Sequence, residues 1–203
     1  MYQQVRSQMK TGDVIAFSGK GFVSNIIKIG TLSKISHVGM VLTTSFGGAR
    51  DSVAIIESTT LSKQKDALAG DSRRGVQIHL LSHYVNGGYD GDIYWCPLRM
   101  PIKKENEKKM VDWLITQHKN EVKYDDDQVM KAGLDIWEKA AKFLKLDKLF
   151  NPFKNEPDPK ELFCSEMLEY AYQIAYDNAD NIPAEVEPGE IVEYYTKDCI
   201  KIT

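Results

Sequence analysis

Apolar positions fall into two regimes along this chain. In the first half, short apolar runs alternate with polar, glycine-bearing stretches, which is the rhythm of strands and turns. Val14-Ile15-Ala16-Phe17 follows the turn pair Gly12-Asp13 and is broken by Gly19-Lys20-Gly21. Ser24 is placed to cap a short helix carrying Ile26, Ile27 and Ile29, which Gly30 would end. Ser36-His37-Val38-Gly39-Met40-Val41-Leu42 then sets a histidine at the opening of a strand. After a polar turn from Thr43 to Ser52, the run Val53 to Ser58 is close enough to pair with it as an antiparallel hairpin. Gly75 to Leu80 alternates like a half-buried strand, and Asp92 to Leu98 reads as another, ended near Pro97.

The second half follows the helical period. Lys103 to Lys119 carries Met110, Trp113 and Leu114 on one face beside a strongly charged one. Asp127 to Leu146 is a second amphipathic segment, with Val129, Met130, Leu134, Trp137, Ala141 and Leu144 on one side. A proline-rich loop spans Asn151 to Pro159. Asp158-Pro159-Lys160-Glu161 then supplies a cap, a proline and an acid in the order that opens a helix, predicted to run through Met167, Leu168 and Ala171 towards Tyr176. Pro183 to Gly189 reads as a loop, and Val192 to Ile202 as a returning strand. No repeat, low-complexity tract or linker divides the chain, so the pattern predicts one α+β unit over residues 1–203.

Composition narrows this picture. A chain of 203 residues can bury a core without staples. Its net charge of −3 speaks against a general phosphate-binding surface, and so against a nucleic-acid partner. The lysine clusters at 103–104, 108–109 and 139–148 are interrupted by acids and read as solvated helix faces. No apolar run is long enough to span a bilayer, and Met1 to Asp13 lacks the apolar centre of a secretory signal. Three cysteines at unrelated spacings argue against a disulfide framework and against a zinc site. These features lead to the expectation of a soluble protein of a reducing compartment, cytoplasmic or otherwise, and a phage- or virus-encoded product would look the same.

Three residues carry candidate chemistry. Cys164, in Phe163-Cys164-Ser165-Glu166-Met167, falls in the first turn or so of a predicted helix, near the positive end of its dipole, a setting that suits a nucleophilic sulfur. His37, at the start of its strand, is rigidly held yet able to face a cleft, as a general base must be. Glu57 ends the neighbouring strand, where a carboxylate can fix the tautomer of the imidazole and support its cationic form. Each has a plain structural alternative: a packed thiol, a bonded core histidine, an acid at a strand end. Cys96, inside an aromatic strand, fits the packed-thiol reading, and Cys199 belongs to no motif.

Other groupings point nowhere in particular. His79 and His83 are spaced like helical metal ligands but fall in a strand pattern, without the glutamate of an H-E-x-x-H site. Asp125-Asp126-Asp127 lacks the spacing and glycine of a calcium loop, and Gly19-Lys20-Gly21 lacks that of a phosphate loop.

Taken in order, Gly12-Asp13, Ser36-His37-Val38-Gly39, the strand ending in Glu57, Tyr124-Asp125 and Phe163-Cys164-Ser165-Glu166 resemble the permuted NlpC/P60 group of papain-like proteins, the YiiX/YaeF-type permuted amidases. In that group the histidine and its polar partner precede the cysteine helix, the order found here. The resemblance runs from about Gly12 to about Tyr176. It implies a circularly permuted papain-like fold, an antiparallel sheet of short strands packed on helices. It implies a cysteine hydrolase that cleaves an amide bond through an acyl-enzyme, with no cofactor and no metal. Cys164 would be the nucleophile, His37 the base and then the acid, and Glu57 the orienting residue. Tyr124, Ser36 and Ser165 would flank the substrate or the oxyanion, with the backbone N–H of Cys164 as a further donor. The long segment between Tyr124 and Cys164 departs from a compact member, so residues 127–159 read as an inserted helical cap. Ester, thioester or acyl-transfer chemistry on a lipid-like or amine substrate would use the same three residues. A catalytically dead ligand-binding module, or an interaction protein docking through the 127–146 helix, are the non-enzymatic alternatives.

Overall fold

The apolar runs of the first half that read as strands form strands, because β-branched and aliphatic residues pack well on a pleated surface covered on both sides. The strands are β1 (Val14–Gly19), β2 (His37–Leu42), β3 (Ala54–Thr59), β4 (Gly75–Leu80) and β5 (Gly91–Cys96), joined near the C-terminus by the short β6 (Ile200–Lys201). They make one antiparallel sheet in the order β4-β3-β2-β1-β5-β6. The computed structural model describes residues 1–20, 24, 25, 28, 33–43, 53–59, 64–124, 163–178 and 186–203. The segment 127–159, the expected cap at Asp158 to Glu161 and most of the Ser24 helix lie outside the described residues. The hairpin expected from the sequence is present, with Met40 opposite Ile56 and Val41 opposite Ile55.

The period-two alternation sorts the strand residues between two layers. Val14, Ala16, Val38, Met40, Leu42, Ala54, Ile56, Val76, Ile78 and Cys96 join a core completed by Met110 and Leu114 of α3 (Lys104–Lys119) and by Cys164, Met167, Leu168, Ala171 and Tyr172 of α4 (Cys164–Tyr176). Ile15, Phe17, Val41, Ile55, Ile93 and Trp95 face the other way. There they pack with Tyr2 and Val5 of α1 (Tyr2–Val5), Leu81 of the single-turn α2 (Leu81–His83), and Tyr84. Coverage of both faces explains why β4, expected to be half-buried, is buried everywhere except at Leu80.

A small hub fixes the cysteine helix against the sheet. Gly12 adopts φ of +95°, open to glycine at little cost, and a β-carbon there would meet Ile102 Cδ1 at 2.7 Å. Its carbonyl accepts a hydrogen bond from the Tyr172 hydroxyl of α4 at 2.7 Å. The neighbouring Asp13 carboxylate, buried, accepts from Trp95 Nε1 at 2.9 Å and from the Leu98 and Lys10 N–H groups. Just beyond it, at the C-terminal end of α4, the Asn106 amide of α3 donates to Ala175 O and to the Asp177 carboxylate.

Three sequence expectations need correction. The third helix opens at Cys164, since Phe163 is extended (ψ 158°) and a helix started at Asp158 cannot run through it. Residues 192–195, expected in a strand, belong to the helix α5 (Pro188–Tyr195), and only Ile200–Lys201 pairs as β6. The start signature was there to be read: Pro188 occupies the first turn and the Glu190 carboxylate holds the Glu187 N–H at 2.9 Å, but Pro-Gly reads more readily as a loop. Finally, Cys96 and Cys199 form a disulfide, against the expectation from the odd count. Spacing along the chain could not reveal that pairing Trp95 with Ile200 sets the two cysteines opposite each other on β5 and the approach to β6. The pairing also removes the cysteine argument for a reducing compartment. Among the described residues no helix is long and apolar enough to cross a membrane.

Candidate active site

Cys164 is the first residue of α4, a 13-residue helix. Its position is held by Glu166, whose carboxylate reaches back to accept the Phe163 N–H at 3.0 Å, one half of a capping box. The N–H groups of this first turn have no acceptor within the helix and leave its end a donor-rich, electropositive place. Cys164 is buried and is the free cysteine among the described residues.

His37 is the first residue of β2 and pairs with Phe17 of β1. Its ring packs on the Phe17 ring with centroids 5.3 Å apart, on the sheet face opposite the helices. Nε2 is hydrogen-bonded to Glu57 Oε2, and the Cys164 sulfur lies near enough to act on the ring electrostatically. The imidazole therefore bridges the two layers, from a carboxylate on one face to a thiol on the other. Burial alone would push its pKa down. The Cys164 sulfur, together with Glu57, outweighs that and raises it to about 10. His37 so stays protonated through neutral pH, with 18% of its side-chain surface open to solvent.

Glu57 explains the small residue in the His-Val-Gly motif. The β2–β3 register, extended past Met40 and Ile56, sets Gly39 beside Glu57, and a β-carbon on Gly39 would lie 3.2 Å from Glu57 Cβ. Any larger residue there would crowd the carboxylate. Both oxygens of Glu57 are engaged. Oε2 takes His37, while Oε1 accepts the Tyr84 hydroxyl at 2.6 Å and His79 Nδ1 at 2.8 Å. A carboxylate can only accept, so the Nδ1 proton of His79 is assigned by this contact. Burial favours the neutral acid, but the hydrogen bonds from His37 and His79 and their charge hold Glu57 well below the usual carboxylate range.

The remaining sequence candidates are distributed unevenly. Tyr124 is buried beside Phe163, ring centroids 5.5 Å apart, one residue from the cysteine. The Ser165 hydroxyl donates to the Val186 carbonyl, tying α4 to the approach to α5. The Ser36 hydroxyl donates to Phe17 O and accepts the Gly19 N–H, each at 3.2 Å, and also bonds Tyr89. The structure thus sets His37 against Glu57 with Cys164 acting on the ring, places Tyr124 against Phe163 beside the cysteine, and ties the two serines into the scaffold.

Three site residues carry no motif that marks them in the sequence: His79 reads there only as a metal-ligand candidate, and Tyr84 and Tyr89 belong to no pattern. A signal existed for His79: a histidine two residues along an apolar strand from Gln77, on the strand that pairs with Glu57. Tyr89 packs edge-on against Phe17, and burial, then the nearby Glu57 charge, pushes its phenol up to about 12. Gln77, opposite Glu57 on β4, is fully buried and its amide makes no hydrogen bond among the described residues. An open cleft of about 880 Å³ shares Tyr89 with this region but contains none of Cys164, His37 or Glu57; Lys65, His83 and Asp90 also line it. Among the described residues no three His, Cys, Asp or Glu side chains are grouped to hold a metal ion.

An antiparallel sheet carrying a histidine strand, backed by a later cysteine helix, is the class of fold these elements define. The chain is similar over 97% of its length, and 97% of the other chain, to the crystal structure of the metalloprotein YiiX from Escherichia coli, with a TM-score of 0.51 and 15% sequence identity. No protein-family model matches the chain, and no curated protein matches its sequence. The likeness is one of fold: α+β, with a six-stranded antiparallel sheet and helices.

Proposed function

We propose that this chain is a cysteine hydrolase of permuted papain-like type, cleaving an amide bond through a covalent acyl-enzyme. One observation carries the reading: a single imidazole, His37, is hydrogen-bonded to the buried Glu57 carboxylate and interacts with the Cys164 sulfur at the start of α4. Nucleophile, proton carrier and orienting acid stand in the order that acyl transfer requires.

In this reading the Cys164 sulfur attacks the substrate carbonyl carbon, and a C–S bond forms as the carbonyl π pair moves to oxygen. The backbone N–H of Cys164, at the open end of α4, is aimed where that oxyanion develops. The C–N bond then breaks, and the His37 imidazolium gives its proton to the departing amine. A water molecule attacks the thioester carbon, His37 takes the proton of that water, and the C–S bond breaks to release the acid. Glu57 keeps the ring aligned through both halves, and the ring contact with Phe17 limits its rotation.

Intact-mass analysis after incubation with activated acyl donors tests this. A peptide amide, a lipid ester and a thioester form the panel. The expected result is an adduct on Cys164 from the amide donor that decays with time and is absent in Cys164→Ala. An adduct from the lipid ester alone would replace the amidase reading with acyl transfer, and no adduct from any donor would sink it. YiiX is described as a metalloprotein. The cysteine reading predicts that turnover here survives prolonged chelation, and loss of activity restored by added metal would count against it.

A further inference from the structure

The Glu57 carboxylate is an unusual thing to bury. It is 1% exposed, in the middle of a sheet face otherwise built from Ile15, Phe17, Val41 and Ile55. A carboxylate in such a place reverts to the neutral acid unless several donors hold its charge. A neutral Glu57 would no longer support a cationic His37. One donor is His37 itself, which cannot both leave its contact to shuttle protons and be the sole stabiliser of the acid. The other two come from outside the proposed triad. His79 lies on β4, two register pairs from Gln77, and its Nδ1–H reaches Oε1 at 2.8 Å. The Tyr84 hydroxyl, from the turn following α2, reaches the same oxygen at 2.6 Å and stands 3.1 Å from His79 Nδ1. The two rings meet edge-on, centroids 5.7 Å apart, and Tyr84 also packs edge-on against Phe17, on which His37 rests.

Resting on the hydrolase reading, we propose that His79 and Tyr84 are positioning residues: a fixed two-donor clamp on Glu57 Oε1 that keeps the acid ionised and leaves Oε2 aimed at His37. The chain of contacts runs Cys164–His37–Glu57–His79/Tyr84, crossing the sheet from one layer to the other. The clamp acts on Glu57 and touches no reacting atom. The titratable groups around Glu57 are His37 on β2, His79 on β4, Tyr84 on the turn after α2, Tyr89 before β5, and Cys164 on α4 beyond the imidazole. Of these, only His79 and Tyr84 contact Oε1.

The sign of the effect follows. In the wild-type chain Glu57 is ionised across the working range, so no activity step near neutrality belongs to it. Removing a clamp donor raises its pKa towards neutrality, and below that new value His37 loses its anionic partner. Tyr84→Phe removes one hydroxyl and little volume, while His79→Leu removes a donor and His79→Asn keeps one near the Nδ1 position. Carboxyl ¹³C NMR of glutamate-labelled protein reads the Glu57 titration directly, without any substrate. The expected result is no Glu57 titration above pH 4 in the wild-type chain. An upward move of about one to three pH units is expected in Tyr84→Phe and His79→Leu, with His79→Asn closer to wild type. Turnover, where a substrate is in hand, should begin to fall on the acid side at a higher pH in the first two variants than in the wild-type chain, in kcat rather than KM. A Glu57 resonance that does not move in a folded Tyr84→Phe overturns the clamp, whatever becomes of Cys164. Conversely, full turnover in Cys164→Ala would remove the hydrolase reading while a shifted Glu57 resonance left the clamp standing.

Discussion

The two faces of the sheet solve different problems. The face under α3 and α4 is filled by aliphatic side chains, aromatic rings and a buried thiol, and it carries a buried acid–imidazole pair of its own, Asp66 with His118 at 2.8 Å near the end of α3. The opposite face has a smaller apolar cluster and buries the Glu57 carboxylate, the His79 imidazole and, among the described residues, an amide without a hydrogen-bond partner, Gln77. Both faces hold an acid against a histidine, but only the second sets its acid on an imidazole, His37, that a thiol also acts on. The contrast teaches where function resides: a hydrogen-bonded ionic group in an apolar layer is weak evidence for stability and a good marker of chemistry. His37 belongs to the second face by its packing and feels the first through the Cys164 sulfur, which makes it the hinge of the comparison.

The sharpest way to break this contrast is to remove the two groups that join the faces. Cys164→Ala and His37→Ala should each lower turnover by about a thousandfold or more while leaving the far-ultraviolet spectrum and melting cooperativity intact. Retained turnover in either folded variant would reduce the ionic layer to a structural oddity.

The disulfide offers the reverse experiment. Cys199→Ser removes a link between strands distant from His37 and should cost about 2–4 kcal/mol in denaturant unfolding with turnover unchanged. A catalytic loss without a stability loss would show that the faces are not separable in this way.

Glu57→Gln comes next, with an expected loss of about 10- to 100-fold, smaller than for Cys164 or His37, because an orienting group is partly replaceable. Its pH signature is more telling. A raised His37 pKa contributes stability that is complete below the unfolded value of 6.5 and is lost as pH rises through about 10. A depressed Glu57 pKa contributes stability present above the unfolded value of 4.5 and lost as pH falls towards its folded value. The melting temperature should therefore hold a plateau from roughly pH 5 to pH 6.5 in the wild-type chain and decline from there towards about pH 10. In Glu57→Gln the alkaline decline should be smaller and level off at a lower pH, and thermal melts across pH show whether it does.

The smallest effect is expected at Gln77. An amide buried without partners is replaceable by an apolar side chain of similar size, so Gln77→Leu should change stability by within about 1 kcal/mol and in the favourable direction. A large destabilisation would mean that this amide holds something in the working protein.

Most of the strand framework could be read from the amino-acid pattern, because alternation and glycine punctuation are local properties. His37 at a strand start, Glu57 on the partner strand and Cys164 at a helix start were legible for the same reason. What remained hidden depended on pairing between distant segments. His79 becomes a donor to Glu57 only through the β3–β4 register, which sets Ile55 opposite His79, and Tyr84 only through the turn that follows β4. Cys96 and Cys199 stand opposite each other only through the β5–β6 pairing. For Ser36 and Ser165 the sequence places a hydroxyl beside a reactive residue but not its hydrogen bonds, which go to the Phe17 and Val186 carbonyls. The helix α5 was lost for a smaller reason, a proline and glycine read as a loop where the proline was an opening residue.

The link between Cys96 and Cys199 spans 103 residues. In polymer terms it turns the greater part of the second half of the chain into a closed ring, with Cys164 carried on the ring and His37, Glu57, His79 and Tyr84 on the free strand that precedes it. Even when unfolded, the oxidised chain has fewer arrangements open to it, by roughly 4.7 kcal/mol of configurational free energy for a loop near this length. The nucleophile then samples a smaller volume around its eventual position, and assembling the site becomes the docking of one tethered loop onto a linear arm.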